Sequence, residues 1–162
     1  MEQPLAILFA VLALTVCLAA LFTAVAALFP VTVEISRRAV DDRPGRALGL
    51  GLVNIVFLGG ASMALVSLGN GSGVRLFSLL ALIIASAGVV GLTFGLAAVS
   101  GLAGERLAPQ RTGLARIVLG TVVLTLGSAT PFVGWFGLLP YVLCLALGGF
   151  VLALFRRRPP SV

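Results

Sequence analysis

TLGSATPFVGWFGLLPYVLC, from Thr125 to Cys144, sits inside 39 consecutive residues without a charge, Ile117 to Phe155. How this stretch is read decides how often the chain crosses a membrane. As one straight helix the 39 residues would extend about 58 Å, almost twice the roughly 30 Å of a bilayer's hydrocarbon core. Pro131 supplies a break, because it removes an amide donor and disfavours helical geometry at Thr130. Gly134 and Trp135 follow, and Trp suits a membrane interface, where its ring is half apolar and its N–H seeks a partner. Breaking the run here leaves a short segment over 114–130 and a longer one over 132–155, which Pro140 kinks near its start. The expectation is two helices joined by a tight TPFVGW turn whose turn residues are Pro131, Gly134 and Trp135.

The rest of the chain divides in the same manner. Apolar residues make up 60% of the 162 and charged residues 10%, more apolar surface than a water-soluble domain of this length can bury. Residues 5–29 form a continuous apolar run closed by Pro30. The run is longer than the apolar core of a signal peptide, and only Glu2 carries charge before it, so a permanent membrane helix is expected. Residues 47–69 and 74–103 give the second and third segments, separated by the turn sequence NGSG at 70–73. Gly104 is expected to stop the third helix and Thr112 to cap the next. The result is a single all-α membrane domain, a bundle of five transmembrane segments ending in a Pro/Gly-broken hairpin. The alternative is a re-entrant hairpin for the short fourth segment.

Between the first two segments lies VTVEISRRAVDDRPGR, residues 31–46, the most charged part of the chain. Helical spacing pairs Glu34 with Arg38, Arg37 with Asp41 and Arg38 with Asp42, and sets Val31, Ile35 and Ala39 on another stripe. A short amphipathic helix at the cytoplasmic membrane surface competes with a solvated connector.

Every one of the eleven cations is an arginine, and there is no histidine. Five crossings with the N-terminus outside place Arg37, Arg38, Arg43, Arg46, Arg106, Arg111, Arg116, Arg156, Arg157 and Arg158 in the cytoplasm and only Arg75 outside. That distribution implies a membrane protein with its N-terminus outside and a cytoplasmic C-terminus. Arg37, Arg38 and the Arg156–Arg158 tail form the expected surface toward anionic lipid or a protein partner. No aromatic residues interleave with the arginines, so nucleic acid is not an expected partner.

Chemistry is sparse. Glu2, Glu34, Asp41, Asp42 and Glu105 all lie at segment ends or in loops, whereas a membrane enzyme or ion-coupled transporter carries ionisable groups within its spans. No catalytic residue, metal site, cofactor or soluble substrate is inferred. Histidine, the usual axial haem ligand, is absent, and Cys17 and Cys144 read as small hydrophobes. Asn54, Ser62, Thr93, Thr121, Thr125 and Ser128 can line a polar path, although bonding between helices is the commoner role. Ala87, Gly91 and Gly95 at four-residue spacing, Ala20 with Ala24, and Asn54 are the expected helix-packing residues.

Two stretches, LFPVTVEISRRAVDDRPGRALGLGLVNIV and ARIVLGTVVLTLGSATPFVGWFGLLPYVLCLALGGFVLALFRRR, resemble the hydrophobic C-terminal membrane domain attached to some bacterial bactofilin-like, polymer-forming cytoskeletal proteins. The shared features are the LFP opening, the RP.R restart, the PFVGW turn and the basic tail. Bactofilin polymerisation belongs to a β-helix of short glycine-punctuated repeats, which this chain lacks. The resemblance therefore implies only a membrane module that anchors to or assembles with something else. The expected function is a non-catalytic multi-pass scaffold, anchor or accessory subunit in a membrane complex or homo-oligomer. A small channel or transporter is the alternative.

Overall fold

A computed structural model describes residues 2–72, 75–130 and 132–155. Six α-helices follow in order: α1 Glu2–Leu28, α2 Pro30–Asp42, α3 Pro44–Ser72, α4 Arg75–Leu107, α5 Gly113–Ala129 and α6 Leu139–Phe155, with a π-helical segment Val133–Leu138 leading into α6. Four helical stretches, Leu5–Leu28, Pro44–Gly69, Leu76–Leu107 and Val133–Phe155, are long and apolar enough to cross a bilayer, and α5 is shorter. The fold is that of an all-helical membrane protein.

Prolines punctuate the chain where a missing amide donor costs nothing. Pro30 stands in the first turn of α2 and Pro44 opens α3, both positions whose N–H has no intrahelical partner. The backbone bends between α1 and α2 and again between α2 and α3 without a long loop.

Helix α4 is the axis of the bundle. On one side it packs with α1 and α5, on the other with α3 and α6, and α2 lies against α4 and α6. Glycines set these contacts, since a side chain at the crossing would separate the backbones. A Cβ on Gly104 would overlap the Arg116 carbonyl, and one on Gly120 the Ser100 carbonyl, so α4 and α5 run antiparallel in near-backbone contact. Gly51 and Gly148 do the same between α3 and α6, against Cys144 and Ala47, and Gly95 of α4 abuts the Ala146 carbonyl of α6. Gly104 therefore does not stop its helix as expected. Its missing Cβ serves packing, and α4 continues to Leu107.

The hairpin between α5 and α6 is built from local bonds. Thr130 N–H and Oγ1–H both donate to the Gly127 carbonyl, at 3.3 and 2.6 Å, closing α5. Phe132 has φ 66° and ψ −66°, a strained conformation for a residue with a side chain. Gly134 then packs against the Gly127 and Ser128 carbonyls, where no Cβ would fit. Leu139 N–H bonds the Gly134 carbonyl five residues back, which gives this segment its π character. Pro131 and the Arg156–Arg158 tail lie outside the described residues.

The two hairpins differ in reach. Measured from Gly104, which touches Arg116, α4 runs about 42 Å to Leu76, whereas α5 covers about 20 Å from Arg116 to Ala129 at 1.5 Å per residue. From Leu52 to Val90, only Gly69 and Ala81 are buried among the described residues. The distal part of the α3–α4 hairpin is thus covered only by its own pairing. From Gly91 to Gly101, by contrast, α4 buries Gly91, Gly95, Ala97, Ala98, Val99, Ser100 and Gly101.

Candidate functional site

Charge gathers at the end of the bundle where α2, α4 and α5 meet. Arg37 donates through Nε and Nη2 to the two carboxylate oxygens of Glu34 at 2.8 and 2.9 Å. Its Nη1 pairs with Glu105 of α4. Arg116 of α5 reaches the other Glu105 oxygen at 3.4 Å and also donates to the Pro109 carbonyl. Glu105 therefore bridges two arginines from two helices, and one carboxylate fastens α2 and α5 to α4. Arg38 donates to Glu34 at 2.7 Å, as the four-residue spacing predicts. Asp41 pairs across to Arg106 at 3.1 Å rather than to Arg37, because Arg37 turns inward to Glu34 and Glu105.

These contacts make Glu34 a strong acid. Hydrogen bonds from Arg37 hold its carboxyl down at about 2, with Arg38 adding to the effect against the opposing cost of partial burial. The same hydrogen bonds to Glu34 raise Arg37. Both remain ionised across the biological pH range, so the Glu34–Arg37 pair is fixed in its charged form.

Of the Val31, Ile35 and Ala39 stripe, α2 buries Ala39, leaves Ile35 half-buried and exposes Val31. Val33, Ser36, Ala39 and Val40 are buried, while Val31 is exposed. Positions 33, 36 and 40 share a face by three- and four-residue steps, and that face meets Gly149 of α6 and the Phe22–Ala26–Ala97–Ala98–Ile117 cluster. The buried face extends beyond the Val31, Ile35 and Ala39 stripe because α2 has neighbours on two sides. Thr112 occupies the N-cap position of α5 but makes no side-chain capping bond.

A lateral cleft of about 560 Å³ opens between α1 and the α5–α6 hairpin. Its walls are mostly aliphatic, from Ile7, Val11, Leu14 and Leu18 of α1 and Leu139, Val142 and Leu143 of α6. Ser100, Thr121, Thr125 and Ser128 add a seam of hydroxyl groups, and Trp135 stands beside Ala129 toward the α5–α6 turn. Thr121 and Thr125 donate to the carbonyls one turn back, at 2.7 and 2.8 Å. The Ser100 Oγ is buried and has no hydrogen-bond partner.

The helix-packing residues fall in several environments. Gly91 and Gly95 face α6, at Phe150 and Ala146, whereas Ala87 is exposed. On α1 the buried face is Thr15, Ala19, Phe22 and Ala26. Ala20 and Ala24 are exposed and line a shallow groove with Val118 and Val122 of α5. The inward face of α1 is thus a different one from the Ala20–Ala24 face. Asn54 donates to the Leu50 carbonyl of its own helix at 2.9 Å, so its side-chain bond joins no two helices. Gly134 is buried in the hairpin and Trp135 is exposed. Among the described residues no group of three or more His, Cys, Asp or Glu could hold a metal ion.

No family model, curated protein or solved structure matches the chain. What fold and site define together is a class: an all-helical membrane protein with one end clamped by interhelical ion pairs and one uncovered apolar hairpin.

Proposed function

We propose that the protein is a non-catalytic, multi-pass membrane scaffold or accessory subunit whose uncovered α3–α4 hairpin packs against a partner within the bilayer. The observation that carries this reading is the burial contrast along α4, where the distal hairpin finds no cover among the described residues beyond its own pairing. Gly59 and Gly60 support it, since nothing comes within 4 Å of a Cβ at either. Small residues facing outward let a neighbouring membrane helix approach closely. In this reading the chain crosses the bacterial cytoplasmic membrane five times, the N-terminus is outside, and the charged clamp faces the cytoplasm beside anionic lipid. The bactofilin-like resemblance fits such a module, serving as an anchor without the polymer-forming part. Against a channel stands the closed end of the lateral cleft, where Phe22, Ala26, Ala97, Ala98 and Ile117 pack together.

The test is extraction from native membranes in a gentle detergent, followed by sizing and mass spectrometry. A defined protein set that travels with the chain, and dissociates in a Gly60→Leu variant that still folds, is the expected result. Recovery as a lone monomer would sink the reading.

A further inference from the structure

We propose that the cleft between α1 and the α5–α6 hairpin binds a neutral lipid, with its carbonyl or hydroxyl head at Ser100 and its apolar tail lying along α1 toward Trp135. The cleft volume, about 560 Å³, lies within the roughly 300–1,000 Å³ of small-molecule sites. Its aliphatic lining is drawn from the apolar helices, so a ligand enters from the bilayer and must itself be mostly apolar.

A seam of hydroxyls runs along the cleft from Ser100 and Thr121 to Thr125 and Ser128, and Ser100 lies at its clamped end. Ser100 is 1% exposed and contributes to the wall, yet its hydroxyl has no partner. A buried polar group left unsatisfied is costly, and a ligand oxygen removes the cost. Thr121 and Thr125 spend their protons on their own helix, but each oxygen keeps acceptor capacity for a ligand hydroxyl. No charged side chain among the described residues lines the cleft, so a phosphate or carboxylate would be desolvated there without a counter-charge. A neutral head is the chemistry that fits. The Phe22–Ile117 cluster closes the path beyond Ser100, which leaves the tail to run the other way, past Leu14, Val11 and Ile7. This inference is independent of partner docking on α3–α4 and survives its failure.

Trp135 is the only tryptophan in the chain and lines this cleft, so its emission reads occupancy. The experiment titrates the full chain, in phosphatidylcholine nanodiscs, with a decyl-tailed benzoquinone. Saturable quenching of Trp135 is expected. Ser100→Ala, which removes a hydroxyl that bonds nothing and therefore leaves the fold intact, should weaken the apparent affinity at least fivefold. Thr125→Phe should abolish the saturable component, and Met63→Phe on the exposed face of α3 should not change it. Diacylglycerol in the nanodisc should compete and phosphatidylglycerol should not. Quenching that rises linearly with quinone and is the same in Ser100→Ala would mean partition into bulk lipid only and would overturn the proposal. So would equal displacement by phosphatidylglycerol. Because Ser100→Ala carries the decision, a Thr125→Phe protein that fails to fold leaves the test intact.

Discussion

The two ends of α4 obey different physics. Around Gly91 to Gly104 the helix is gripped by four others, its glycines in backbone contact with α5 and α6 and its Glu105 shared between Arg37 and Arg116. Toward Leu76 the same helix meets α3 alone among the described elements, and leucines and isoleucines such as Leu79, Leu82 and Ile83 stand exposed. In lipid no hydrophobic force drives helices together, so close packing and polar bonds must hold the gripped end, and both are present there. The free end has apolar side chains and little else, which lets it face lipid or accept another helix without reorganising the first half.

Substitutions of matched kind break or sharpen this contrast. Gly148→Leu places a side chain where the Ala47 carbonyl lies, and overpacking at a backbone contact should cost about 3 kcal/mol or more. Thermal unfolding in detergent, followed by helical circular dichroism, should show loss of the cooperative transition. Gly59→Leu, in open space, should stay within about 0.5 kcal/mol of the parent. Equal damage at both sites would erase the distinction between the ends.

Removal of the shared carboxylate is the next largest effect. Glu105→Ala leaves Arg37 and Arg116 without their common partner, at side-chain exposures of 26% and 28%. The loss should be about 1 to 2 kcal/mol, more than an exposed pair and less than a fully buried one. Protease cleavage in the 108–112 loop should accelerate as α5 loosens from α4. A variant as stable and as protected as the parent would show that glycine packing holds the clamped end unaided.

Acid titration probes the same end from the α2 side. Glu34 has a folded value of about 2 against an ordinary 4.5. A depressed carboxyl contributes stability that is complete above the unfolded value and is lost as pH falls through the folded one. Melting temperature should therefore be insensitive to this group between pH 8 and 5 and decline from about 4.5 toward 2. Glu34→Gln should remove that part of the decline. An unchanged acid profile in the variant would place the acid-sensitive step elsewhere. Smallest of all, Asp41→Ala breaks only the exposed pair with Arg106 and should shift stability by no more than about 0.5 kcal/mol.

Backbone punctuation was the most legible feature of the chain, and rotational setting the least. Charge spacing around Glu34 and Arg38 set a helix against a solvated connector, and α2 is a helix, its Glu34–Arg38 pair at four-residue spacing being a local property. Which residues of α2 face inward depends on α4 and α6, and for that reason Ala39 of the Val31–Ile35–Ala39 stripe is buried while Val31 is exposed. Small-residue spacing does not tell contact within the chain from contact with a partner: Gly91 and Gly95 meet α6, while Ala20, Ala24 and Ala87 are exposed. In a chain with 20 glycines, four-residue repeats occur on many faces, and only tertiary contact selects among them. Gly104 reads as a helix stop until Arg116 is seen against it. Thr121, Thr125 and Ser128 were legible as candidates for a polar lining and do line the cleft. Ser100 was not, since it stands in a run of small residues and its significance is a missing partner.

The docking role of the free hairpin can be tested most directly with a photo-reactive residue at Met63, which is 79% exposed, irradiated in native membranes. Docking requires a protein adduct of one defined mass, made by a folded chain and lost when Gly60 is replaced by Leu. Adducts with lipid alone, unchanged by that replacement, would contradict it and leave the hairpin as a membrane-facing element of an isolated subunit.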